Sequence, residues 1–435
     1  MDCERVMNGS SAKNVLVFPY GTEISNEIVN SLVHNKHFHL ICATSDEALI
    51  QLSGQTRLHF LPHVNDPGFE FALLELIREL GVSLVIPAHD DVALLLSEMS
   101  LPKDCAVVGQ SHEANLIVRY KSKTYASLKH IVPVPATYRL GDDIPFPVFI
   151  KPDRGQGSKS THFIPDKFAL DNFMCGRDSS AFIICEFLPG EEFTVDCFSD
   201  NGSICFAGPR TRERTINGIS TLSRSFSSGP DWETLQHMAA QISAHFRMHG
   251  LWFFQAKKSA NAELHLLEVA TRVSGTMMVN RAKGINFVEL ALWQATGHEV
   301  SINASPGQVL VRRTLDPHYK FDQEFDRLLV DFDDTLLVND KINVELIGLI
   351  FKAKNENKPV ILITKNQNRR LATTLHKYGI TAIFDDVIHL DVGQSKSSFA
   401  RKGDLLVDDS FAERNSVLES GVKSISLDMV GMYLD

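Results

Sequence analysis

The chain has 435 residues, of which 44% are hydrophobic and 22% charged, and its formal net charge is −10. This length exceeds a single hydrophobic core, so we expect two or three domains, and the ordinary globular composition argues against extensive disorder. The acidic balance disfavours a surface that binds the phosphate backbone of nucleic acids.

The sequence carries no recognisable signal for a membrane or for export. No run is long and apolar enough to span a bilayer, and the start MDCERVMNGSSAK lacks the apolar core of a signal peptide. The seven cysteines show no Cys-x-x-Cys spacing, which indicates reduced, mostly buried thiols rather than a disulfide scaffold or zinc site. We therefore expect a cytoplasmic protein with neither membrane nor nucleic-acid partners.

The first 110 residues alternate between apolar runs and helical segments. NVLVFPYGTEISNEIVNSLVHN predicts a strand, a turn and a helix, with Ser25 or Asn26 as the helix cap. VSLVIPAHDDVALLLSEM repeats the pattern, so we expect parallel βαβ units. Asp90 and Asp91 follow a predicted strand, where ligands often bind in open α/β sheets, although helix capping explains the pair as well.

The next block, residues 111–305, has a mixed pattern. It contains predicted helices, the strand-rich segments FPVFIKP and AFIICEFLPGEEFTVDCFS, and a long polar loop around GPRTRERTINGIS. VSINASPGQVLVRR then predicts a closing strand and LDPHYKFDQEF a linker, and the linker region is residues 306–326. From Arg327 a fresh α/β alternation predicts a compact domain over residues 327–435.

The segment FIKPDRGQGSKS carries the first chemical signal. A predicted strand delivers Lys151 and then a loop with Gly155, Gly157 and Ser158. Glycines let backbone N–H groups approach phosphate oxygens, and a lysine adds positive charge. On its own, the loop is better explained as a glycine-rich surface turn with a solvated lysine.

Two later stretches favour phosphate chemistry. CEFLPGEEFTVD passes from a strand through a Pro-Gly turn into another strand, and LWFFQAKKSANAELHLLEVATRVSGT carries Gln255, Glu268 and Arg272. Gln255 and Glu268 offer the oxygen ligands that Mg²⁺ prefers. Arg272 can stabilise negative charge on a transferred phosphoryl group.

Taken in order, these stretches resemble the ATP-grasp superfamily over residues 14–305, especially its carbamoyl-phosphate-synthase-like and carboxylate–amine ligase members. The resemblance implies a Rossmann-like N-terminal lobe, residues 1–110, followed by an ATP-grasp domain, residues 111–305. It implies an ATP site made of Lys121, Lys151, Gly155, Gly157 and Ser158 at the phosphates, Glu186 and Leu188 at the adenine, and Glu192 at the ribose. It also implies Gln255 and Glu268 as magnesium ligands and Arg272 as a catalytic residue.

The chain departs from the family's Glu-x-Asn-x-Arg pattern, because it reads EVATR. Ala270 cannot coordinate a metal, so the second magnesium site of the family is weakened here. Arg210, Arg212 and Arg214 lie in the predicted polar loop, which often faces the acceptor substrate in this family. A solvated basic loop explains these arginines equally well.

The run LLVDFDDTLLV places aspartates in a segment that otherwise predicts a buried strand. Asp331 ends the strand and Asp333 lies two residues on, where a nucleophile and a general acid/base can stand with Mg²⁺ offsetting their repulsion. Further candidate catalytic and metal-binding residues follow at later strand ends and at a helix start, namely Thr364, Lys396, Asp408 and Asp409. Several such residues in this order are a more specific signal than one Asp-x-Asp motif.

This constellation resembles the haloacid dehalogenase (HAD) superfamily of phosphohydrolases over residues 327–435. The resemblance implies Asp331 as the nucleophile that forms an aspartyl-phosphate, Asp333 as the acid/base, and Thr364 and Lys396 as catalytic phosphate-binding groups. It implies a magnesium site made of Asp331, Asp333, Asp408 and Asp409. Asp334 fits a capping role and Thr335 an orienting one. Neither usual position carries a cap insertion, so we expect a capless, HAD-like Rossmannoid domain.

The expected fold class is α/β and α+β multidomain, with ATP and Mg²⁺ as cofactors. Our leading hypothesis is a bifunctional enzyme that joins an ATP-dependent carboxylate–amine ligase to a phosphatase. Two alternatives stay open: an ATP-dependent small-molecule kinase with a phosphatase domain, and a phosphatase with a non-catalytic, ATP-sensing grasp domain. The expected partners are a small-molecule carboxylate, an amine and a phosphorylated substrate, and a homodimer is expected because related ligases often pair.

Overall fold

In a computed structural model, the chain forms two compact units, residues 1–315 and 316–435. The structure describes residues 12–52, 58–155, 160–216, 218–314, 319, 321, 324–365, 370–391 and 393–434. The division between the units falls inside the linker region 306–326 that the sequence predicts.

The first unit opens with a parallel sheet. Its strands are β1 (Lys13–Phe18), β2 (Phe38–Thr44), β3 (Leu58–Phe60), β4 (Val82–Pro87) and β5 (Ala106–Val107), in the order β3-β2-β1-β4-β5. The helices between them are α1 (Glu23–Leu32), α2 (Glu47–Leu52), α3 (Phe69–Glu79) and α4 (Asp90–Glu98). All pairings are parallel, so the predicted βαβ units are confirmed. The strand order reverses between β1 and β4, and ligands bind at such a switch point.

Helix α1 begins after Thr22 rather than at the caps that the sequence predicted. The Thr22 hydroxyl accepts a hydrogen bond from the Ser25 N–H at 3.2 Å, and the Ser25 hydroxyl accepts one from the Thr22 N–H at 2.9 Å. This reciprocal capping box satisfies two N–H donors at the helix start. The prediction of Ser25 or Asn26 as the N-cap is therefore wrong, although Ser25 forms half of the box.

A small antiparallel sheet follows. Two helices precede it, α5 (His112–Val118) and α6 (Lys121–Leu128). Its strands are β6 (Thr137–Tyr138), β7 (Val148–Pro152), β8 (His162–Ile164) and β9 (Phe182–Glu186), in the order β6-β9-β7-β8. Helix α7 (Lys167–Met174) covers it, because Leu170 packs against Val148 and Ile150 in a core of its own. A 3₁₀ turn, Ser179–Ala181, leads into β9.

The main antiparallel sheet has the order β11-β10-β14-β15, with strands β10 (Glu192–Asp200), β11 (Ser203–Thr211), β14 (Gly250–Lys258) and β15 (Leu264–Ala270). A third sheet, β12-β13-β16, consists of β12 (Arg214–Ile216), β13 (Ile219–Arg224) and β16 (Leu310–Arg312). The predicted closing strand is thus β16. The helices of this part are α8 (Pro230–Phe246), α9 (Met278–Arg281) and α10 (Phe287–Ala295).

The prediction of a long polar loop around GPRTRERTINGIS is wrong. Most of that stretch lies in β11, β12 and β13, which are joined by antiparallel pairings and bridges. The apolar pattern that normally marks a strand is missing from this stretch, because a buried polar network, described below, takes the place of apolar side chains.

One hydrophobic core joins the opening parallel sheet to the main antiparallel sheet. Val15 and Val17 of β1 belong to the same packed cluster as Phe198 of β10, Leu251 of β14 and Phe287 of α10. Burial of large apolar side chains is the main favourable contribution to such packing. The opening parallel sheet and the main antiparallel sheet are therefore held together by a continuous core.

The second unit is built on a five-stranded parallel sheet. The strands of this unit, including two outside that sheet, are β17 (Arg327–Val330), β18 (Leu337–Val338), β19 (Lys341–Ile342), β20 (Val360–Thr364), β21 (Asp386–His389), β22 (Asp404–Val407) and β23 (Lys423–Ile425). The sheet order is β21-β20-β17-β22-β23, and β18 and β19 form a separate hairpin. The carboxyl ends of β17, β20 and β22 therefore meet at one edge.

Helices of the second unit cover both faces of its sheet. They are α11 (Val344–Asn355), α12 (Arg370–Lys377) and α13 (Phe411–Glu419), with 3₁₀ turns at Thr381–Ile383, Lys396–Ser398 and Leu427–Tyr433. Two separate apolar cores result, one containing Val330 and Leu349 and the other Leu329 and Val417. Between β17 and β20 the chain holds only the hairpin and α11.

Two further expectations concern membrane spans and thiols. In the part of the chain that the structure describes, no helix combines the length and apolar character needed to cross a membrane. The described cysteines are all free thiols, in agreement with their unpaired spacing in the sequence.

Candidate functional site

The first unit contains a cavity between its small sheet and its main sheet. Eight of the side chains and backbone positions that line it are predicted site residues: Lys121, Lys151, Gly155, Glu186, Leu188, Glu192, Gln255 and Glu268. Gly157 and Ser158 lie outside the described residues. The structure therefore brings together residues that are up to 147 positions apart in the chain, which number from 121 to 268.

The two lysines approach the cavity from different elements. Lys151, in β7, is only 7% exposed, and its Nζ donates to the Tyr125 hydroxyl at 2.6 Å. That hydroxyl in turn donates to the Leu267 carbonyl at 2.8 Å. Lys121, the first residue of α6, donates to the Gly155 carbonyl at 3.1 Å. Both lysines therefore line the cavity, and the Lys121 ammonium group contacts the glycine-containing segment.

Burial and neighbouring charges set the state of Lys121. Burial lowers the pKa of Lys121, and the positive charges of Lys151 and Arg119 lower it further, while Glu268 opposes them. Two cations at one side of a cavity repel each other, and a polyanion such as a triphosphate relieves that repulsion. The lysine pair thus favours an anionic ligand.

The candidate metal ligands of this cavity lie side by side. Gln255 of β14 and Glu268 of β15 are directly paired in the antiparallel register, so their side chains project from the same face of the main sheet. Both line the cavity. One carboxylate and one amide oxygen form a hard donor set of the kind that Mg²⁺ shares with phosphates and waters, so these residues fit the metal.

Two acidic residues line the opposite part of the cavity. Glu186, the last residue of β9, accepts a hydrogen bond from the Ala136 N–H at 3.3 Å. Glu192 forms an ion pair with Arg212, with Nε 2.8 Å from Oε1. Both carboxylates are therefore oriented by protein groups, and both remain at the cavity wall where hydroxyl or amino groups of a ligand can reach them.

Arg272 lies in a smaller cavity that adjoins the first. This second cavity shares Lys121, Gly155 and Glu268 with the first, and Arg272 and Asp90 line it as well. Arg272 is 8% exposed and forms a two-point ion pair with Asp90, at 2.9 and 3.0 Å. Ala270 is buried beside it. The predicted catalytic arginine is thus adjacent to the predicted metal ligand Glu268.

The arginines of the predicted polar loop have three different environments. Arg210 is 1% exposed and pairs with buried Asp196 at 3.0 Å, within a network that includes Ser274 and Asn280. Arg212 pairs with Glu192, as described above, and Arg214 is exposed on β12. The interpretation of all three as a solvated loop is wrong for Arg210, because a buried carboxylate offsets its desolvation.

The second unit gathers carboxylates at the edge of its parallel sheet. Oxygen atoms of Asp331, Asp408 and Asp409 lie within 4.8 Å of one another, which makes them the group of three acidic, histidine or cysteine ligands found among the described residues. Asp331 and Asp408 are 6% and 0% exposed. Buried carboxylates need a cation, and three carboxylate oxygens fit Mg²⁺.

A lysine already stands between two of these carboxylates. The Lys396 Nζ, itself buried, forms close ion pairs with Asp331 and Asp408. Burial raises the pKa of Asp331 to about 6, against the opposing charge of Lys396. Burial likewise raises the pKa of Asp408. The desolvated carboxylates are thus strongly dependent on positive charge in their surroundings.

The other predicted residues of this unit flank the carboxylate group. Asp333 is exposed and is not part of the three-residue group, so its place as a metal ligand stays a prediction. Asp334 adopts a left-handed backbone conformation with φ of 52°, which aspartate tolerates in tight turns. Thr364 is buried at the end of β20. Thr335 is buried, donates to Asp409 Oδ1 at 3.2 Å and accepts from the Asp409 N–H at 3.0 Å.

Several residues of both sites escaped the sequence interpretation. Tyr125 follows Lys121 by one helical turn on α6, and that spacing was an available signal. Arg414 donates to the carbonyls of Asp408 and Asp409 at 2.7 and 2.6 Å. Glu413 accepts from the Lys396 N–H at 3.1 Å. No sequence pattern predicts such contacts between side chains and backbone groups.

Comparisons with known proteins bear on the first unit. Residues 178–315 match a family model described as ATP-grasp in the biosynthetic pathway with Ter operon. No curated protein matches the chain. The match lies within the first compact unit. It includes Glu186, Leu188, Glu192, Gln255, Glu268 and Arg272, whereas Lys121, Lys151 and the glycine-containing segment after Lys151 lie outside it.

Solved structures resemble the chain at low sequence identity. The biotin carboxylase domain of Hydrogenobacter thermophilus 2-oxoglutarate carboxylase, a dimer in complex with MgADP, ADP and bicarbonate, is 14% identical, with a TM-score of 0.55 over 69% of this chain and 74% of that chain. N5-carboxyaminoimidazole synthetase from Staphylococcus aureus, complexed with ADP, is 14% identical, with a TM-score of 0.54 over 67% and 80%.

A third similar structure is the L-amino acid ligase from Bacillus licheniformis, which is 15% identical, with a TM-score of 0.52 over 66% of this chain and 75% of that chain. Likeness at such identity shows a shared fold, and activity has to be argued from the site. The first compact unit of this chain has the ATP-grasp fold.

Proposed function

We propose that the chain is a bifunctional enzyme, in which the first unit is an ATP-dependent, ADP-forming carboxylate–amine ligase and the second is a Mg²⁺-dependent phosphomonoesterase. The observation that carries the ligase is the convergence of two lysines, two ribose- and adenine-side carboxylates and the Gln255–Glu268 pair on one cavity. The nucleotide complexes of the similar structures, with MgADP or ADP, support ATP and Mg²⁺ as its cofactors.

The ligase chemistry begins with a carboxylate that does not react with an amine in water. A carboxylate oxygen attacks the γ-phosphorus of ATP, ADP leaves, and an acyl phosphate forms. The amine nitrogen then attacks the acyl carbon, phosphate leaves, and the nitrogen gives up a proton, so the products are ADP, phosphate and an amide. Lys121 and Lys151 hold the phosphates and Arg272 faces the charge that develops during transfer.

Mg²⁺ held by Gln255 and Glu268 would neutralise phosphate charge in this reaction. Ala270 offers no ligand, so the chain's own residues provide fewer metal contacts than the family pattern does. Lysine and arginine side chains therefore carry a larger share of the charge neutralisation. Pairing of the first unit into a homodimer belongs to the proposal, supported by the dimer of the similar biotin carboxylase domain.

The observation that favours the phosphomonoesterase is the carboxylate group Asp331, Asp408 and Asp409 at the carboxyl edge of a parallel sheet, with Lys396 between two of its members. We assign the second unit to the HAD-like, capless phosphohydrolases on this basis. Mg²⁺ at the three carboxylates would screen the substrate phosphate from Asp331.

The proposed hydrolysis uses two aspartates. Asp331 attacks the phosphorus of a phosphomonoester, and the leaving alcohol oxygen takes a proton from Asp333. Water then attacks the aspartyl-phosphate, Asp333 takes its proton, and phosphate leaves with Asp331 regenerated. Lys396 balances the negative charge on Asp331 throughout. The phosphorylated substrate is proposed to be a substrate or product of the ligase.

Trapping of the acyl phosphate tests the ligase. In the full chain carrying Asp331→Asn, we expect MgATP, hydroxylamine and a panel of small carboxylates to yield a hydroxamate and one ADP for each hydroxamate. A stable phosphorylated product that needs no amine would instead identify a kinase. Nucleotide binding without turnover on any carboxylate would identify an ATP-sensing module.

A further inference from the structure

Asp90 and Arg272 form a charge pair between two sheets of the first unit. Asp90 is the first residue of α4, directly beyond β4 of the opening parallel sheet, whereas Arg272 follows β15 of the main sheet. The pair therefore spans two sheets of the first unit across 182 positions of sequence. Each partner is mostly buried, with side-chain exposures of 13% for Asp90 and 8% for Arg272.

The contacts around Arg272 fix the guanidinium plane. Asp90 accepts a hydrogen bond from Nη2 at 3.0 Å, its other carboxylate oxygen lies 2.9 Å from Nε in an ion pair, and the Val273 carbonyl accepts from Nη1 at 2.9 Å. The ring of Phe253 lies against the group, with its centroid 5.4 Å from the guanidinium carbon. A bidentate carboxylate gives an arginine both position and direction. Among these contacts, the carboxylate supplies the charged one.

The surroundings of Asp90 leave its carboxylate ionised and paired with Arg272 rather than used as a helix cap. Burial alone would raise the pKa of Asp90, but the charges of Arg272 and Arg119 lower it, so Asp90 is ionised. It does not cap α4, because the His89 side chain accepts the hydrogen bond from the Asp91 N–H. Its neighbour Asp91 instead pairs with Arg119 at 2.7 Å and with Arg154 at 3.0 Å.

Both partners face the candidate phosphate region. Asp90, Arg272, Lys121 and Glu268 line one small cavity, which adjoins the nucleotide cavity. We propose that Asp90 is a positioning residue that holds Arg272 in the direction needed to stabilise the phosphoryl group during its transfer. This inference rests on the proposed nucleotide site, and it adds a residue of the N-terminal lobe to the machinery of that site.

Positioning has a different signature from nucleotide binding. Lys121 and Lys151 already hold the phosphates of bound ATP, so loss of Asp90 should leave ATP affinity nearly intact. A preorganised donor matters most where charge develops in the transition state. The loss should therefore appear with a mimic of the transferring phosphoryl group, for which MgADP with aluminium fluoride is the probe.

The experiment compares the affinities of the full chain for MgATP and for MgADP with aluminium fluoride by calorimetry, with Asp331→Asn present throughout. For Asp90→Asn, we expect the mimic to bind about 10- to 100-fold more weakly and MgATP to change by less than about threefold. In an Arg272→Gln background, adding Asp90→Asn should change the affinity for the mimic by less than about twofold, because Asp90 acts through Arg272.

The matched control is Glu27→Gln. Glu27, in α1, is 2% exposed and forms a two-point pair with Arg281, at 3.0 and 3.0 Å, away from both cavities. The Glu27→Gln variant removes a buried carboxylate from a two-point pair with an arginine in the same unit, so both variants should lower the unfolding temperature. Only Asp90→Asn should change the ratio of the two affinities.

Three results would overturn the inference. Equal weakening of MgATP and mimic by Asp90→Asn would show a general structural role, and full additivity with Arg272→Gln would show action by another route. If Asp90→Asn does not fold, Asp90→Glu keeps the charge while displacing the guanidinium, and wild-type affinity for the mimic in that variant would contradict positioning. Failure of the parent chain to bind either ligand would remove the nucleotide site itself.

Discussion

The two candidate sites are assembled in different ways. In the second unit, Asp331, Thr364 and Asp408 stand at or just beyond the ends of three parallel strands, and one sheet brings them to one edge. In the first unit, the cavity is lined from α6, β7, β9, β10, β14 and β15. A parallel sheet aligns its strand ends by topology alone, whereas an antiparallel site depends on register and on packing between sheets.

The two sites also balance charge differently. In the cavity of the first unit, Lys121 and Lys151 lie near Glu268, and the mutual repulsion of the two lysines favours a polyanion beside them. The second site gathers three carboxylates, two of which pair with Lys396, and this group favours a metal cation. Ligand removal should therefore change the charge of the two sites in opposite senses. Chelation of Mg²⁺ removes a cation from the second, and removal of the nucleotide removes an anion from the first.

The largest expected effect tests the carboxylate group of the second unit. Asp331→Asn removes the proposed nucleophile, so hydrolysis of a generic phosphomonoester in the presence of Mg²⁺ should fall by at least about 10³-fold. The control is Asp386→Asn, an exposed change at the first residue of β21, on the amino side of the sheet. Retention of a tenth of the activity by Asp331→Asn would show that the group is not catalytic.

A smaller effect is expected from the residue that orients Asp409. Thr335→Val removes the hydroxyl that contacts both the carboxylate and the N–H of Asp409. Loss of such support should raise the Mg²⁺ concentration for half-maximal hydrolysis by about 10- to 100-fold. Thr374→Val, which changes another buried threonine of the unit, on α12, should leave it unchanged. Equal Mg²⁺ dependence in both variants would contradict the role of Thr335.

The corresponding change in the first unit concerns Tyr125. Tyr125→Phe keeps the ring but removes the hydroxyl that accepts from Lys151 and donates to Leu267. Because a hydrogen bond to a buried ammonium group is lost, MgATP affinity should fall by about tenfold. Calorimetry on the full chain measures this. Tyr138→Phe, which alters a tyrosine of β6 that does not line the cavity, serves as the control, and an equal fall in both would refute the assignment.

The smallest expected effect is a pH dependence of folding stability. Hydrogen bonds from Arg119 and Arg154 outweigh burial and lower the pKa of Asp91 to about 2, from an ordinary value of 3.8. A depressed carboxyl pKa contributes stability above the unfolded value, and that stability is lost as the pH falls from about 4 towards 2.

Chemical denaturation at pH 5 and pH 3 measures that contribution. Between these two values, the wild-type chain should lose up to about 1 kcal/mol more unfolding free energy than Asp91→Asn does. Parallel losses in the two proteins would show that the Asp91 ion pairs do not contribute to the acid sensitivity of the first unit.

Local sequence patterns marked candidate residues in both units for a physical reason. Asp331, Lys396 and Asp408 each stand next to an apolar run or a helix start, and local patterns identify such positions. In the first unit, Lys151 and Glu268 were likewise marked by their strands. The Asp90–Arg272 pair was not, because no local pattern reports a contact that forms between two sheets.

Local patterns also failed where polar side chains are buried. Arg210 and its neighbours read as a polar loop, yet Arg210 is 1% exposed and pairs with Asp196 in the middle of the main sheet. A charged residue in a sequence normally indicates a side chain exposed to solvent. Only the partner, 14 residues away on the adjacent strand, shows that this arginine belongs to a buried network.

The central claim is that the cavity of the first unit binds ATP with Mg²⁺. Calorimetric titration of MgATP into the full chain with Asp331→Asn tests it most directly, alongside added Lys151→Ala, Glu268→Gln and the exposed control Lys167→Ala on α7. We expect metal-dependent binding in the parent and control, and at least a tenfold loss in the two cavity variants. No binding in the parent, or binding that ignores both cavity changes, would contradict the account.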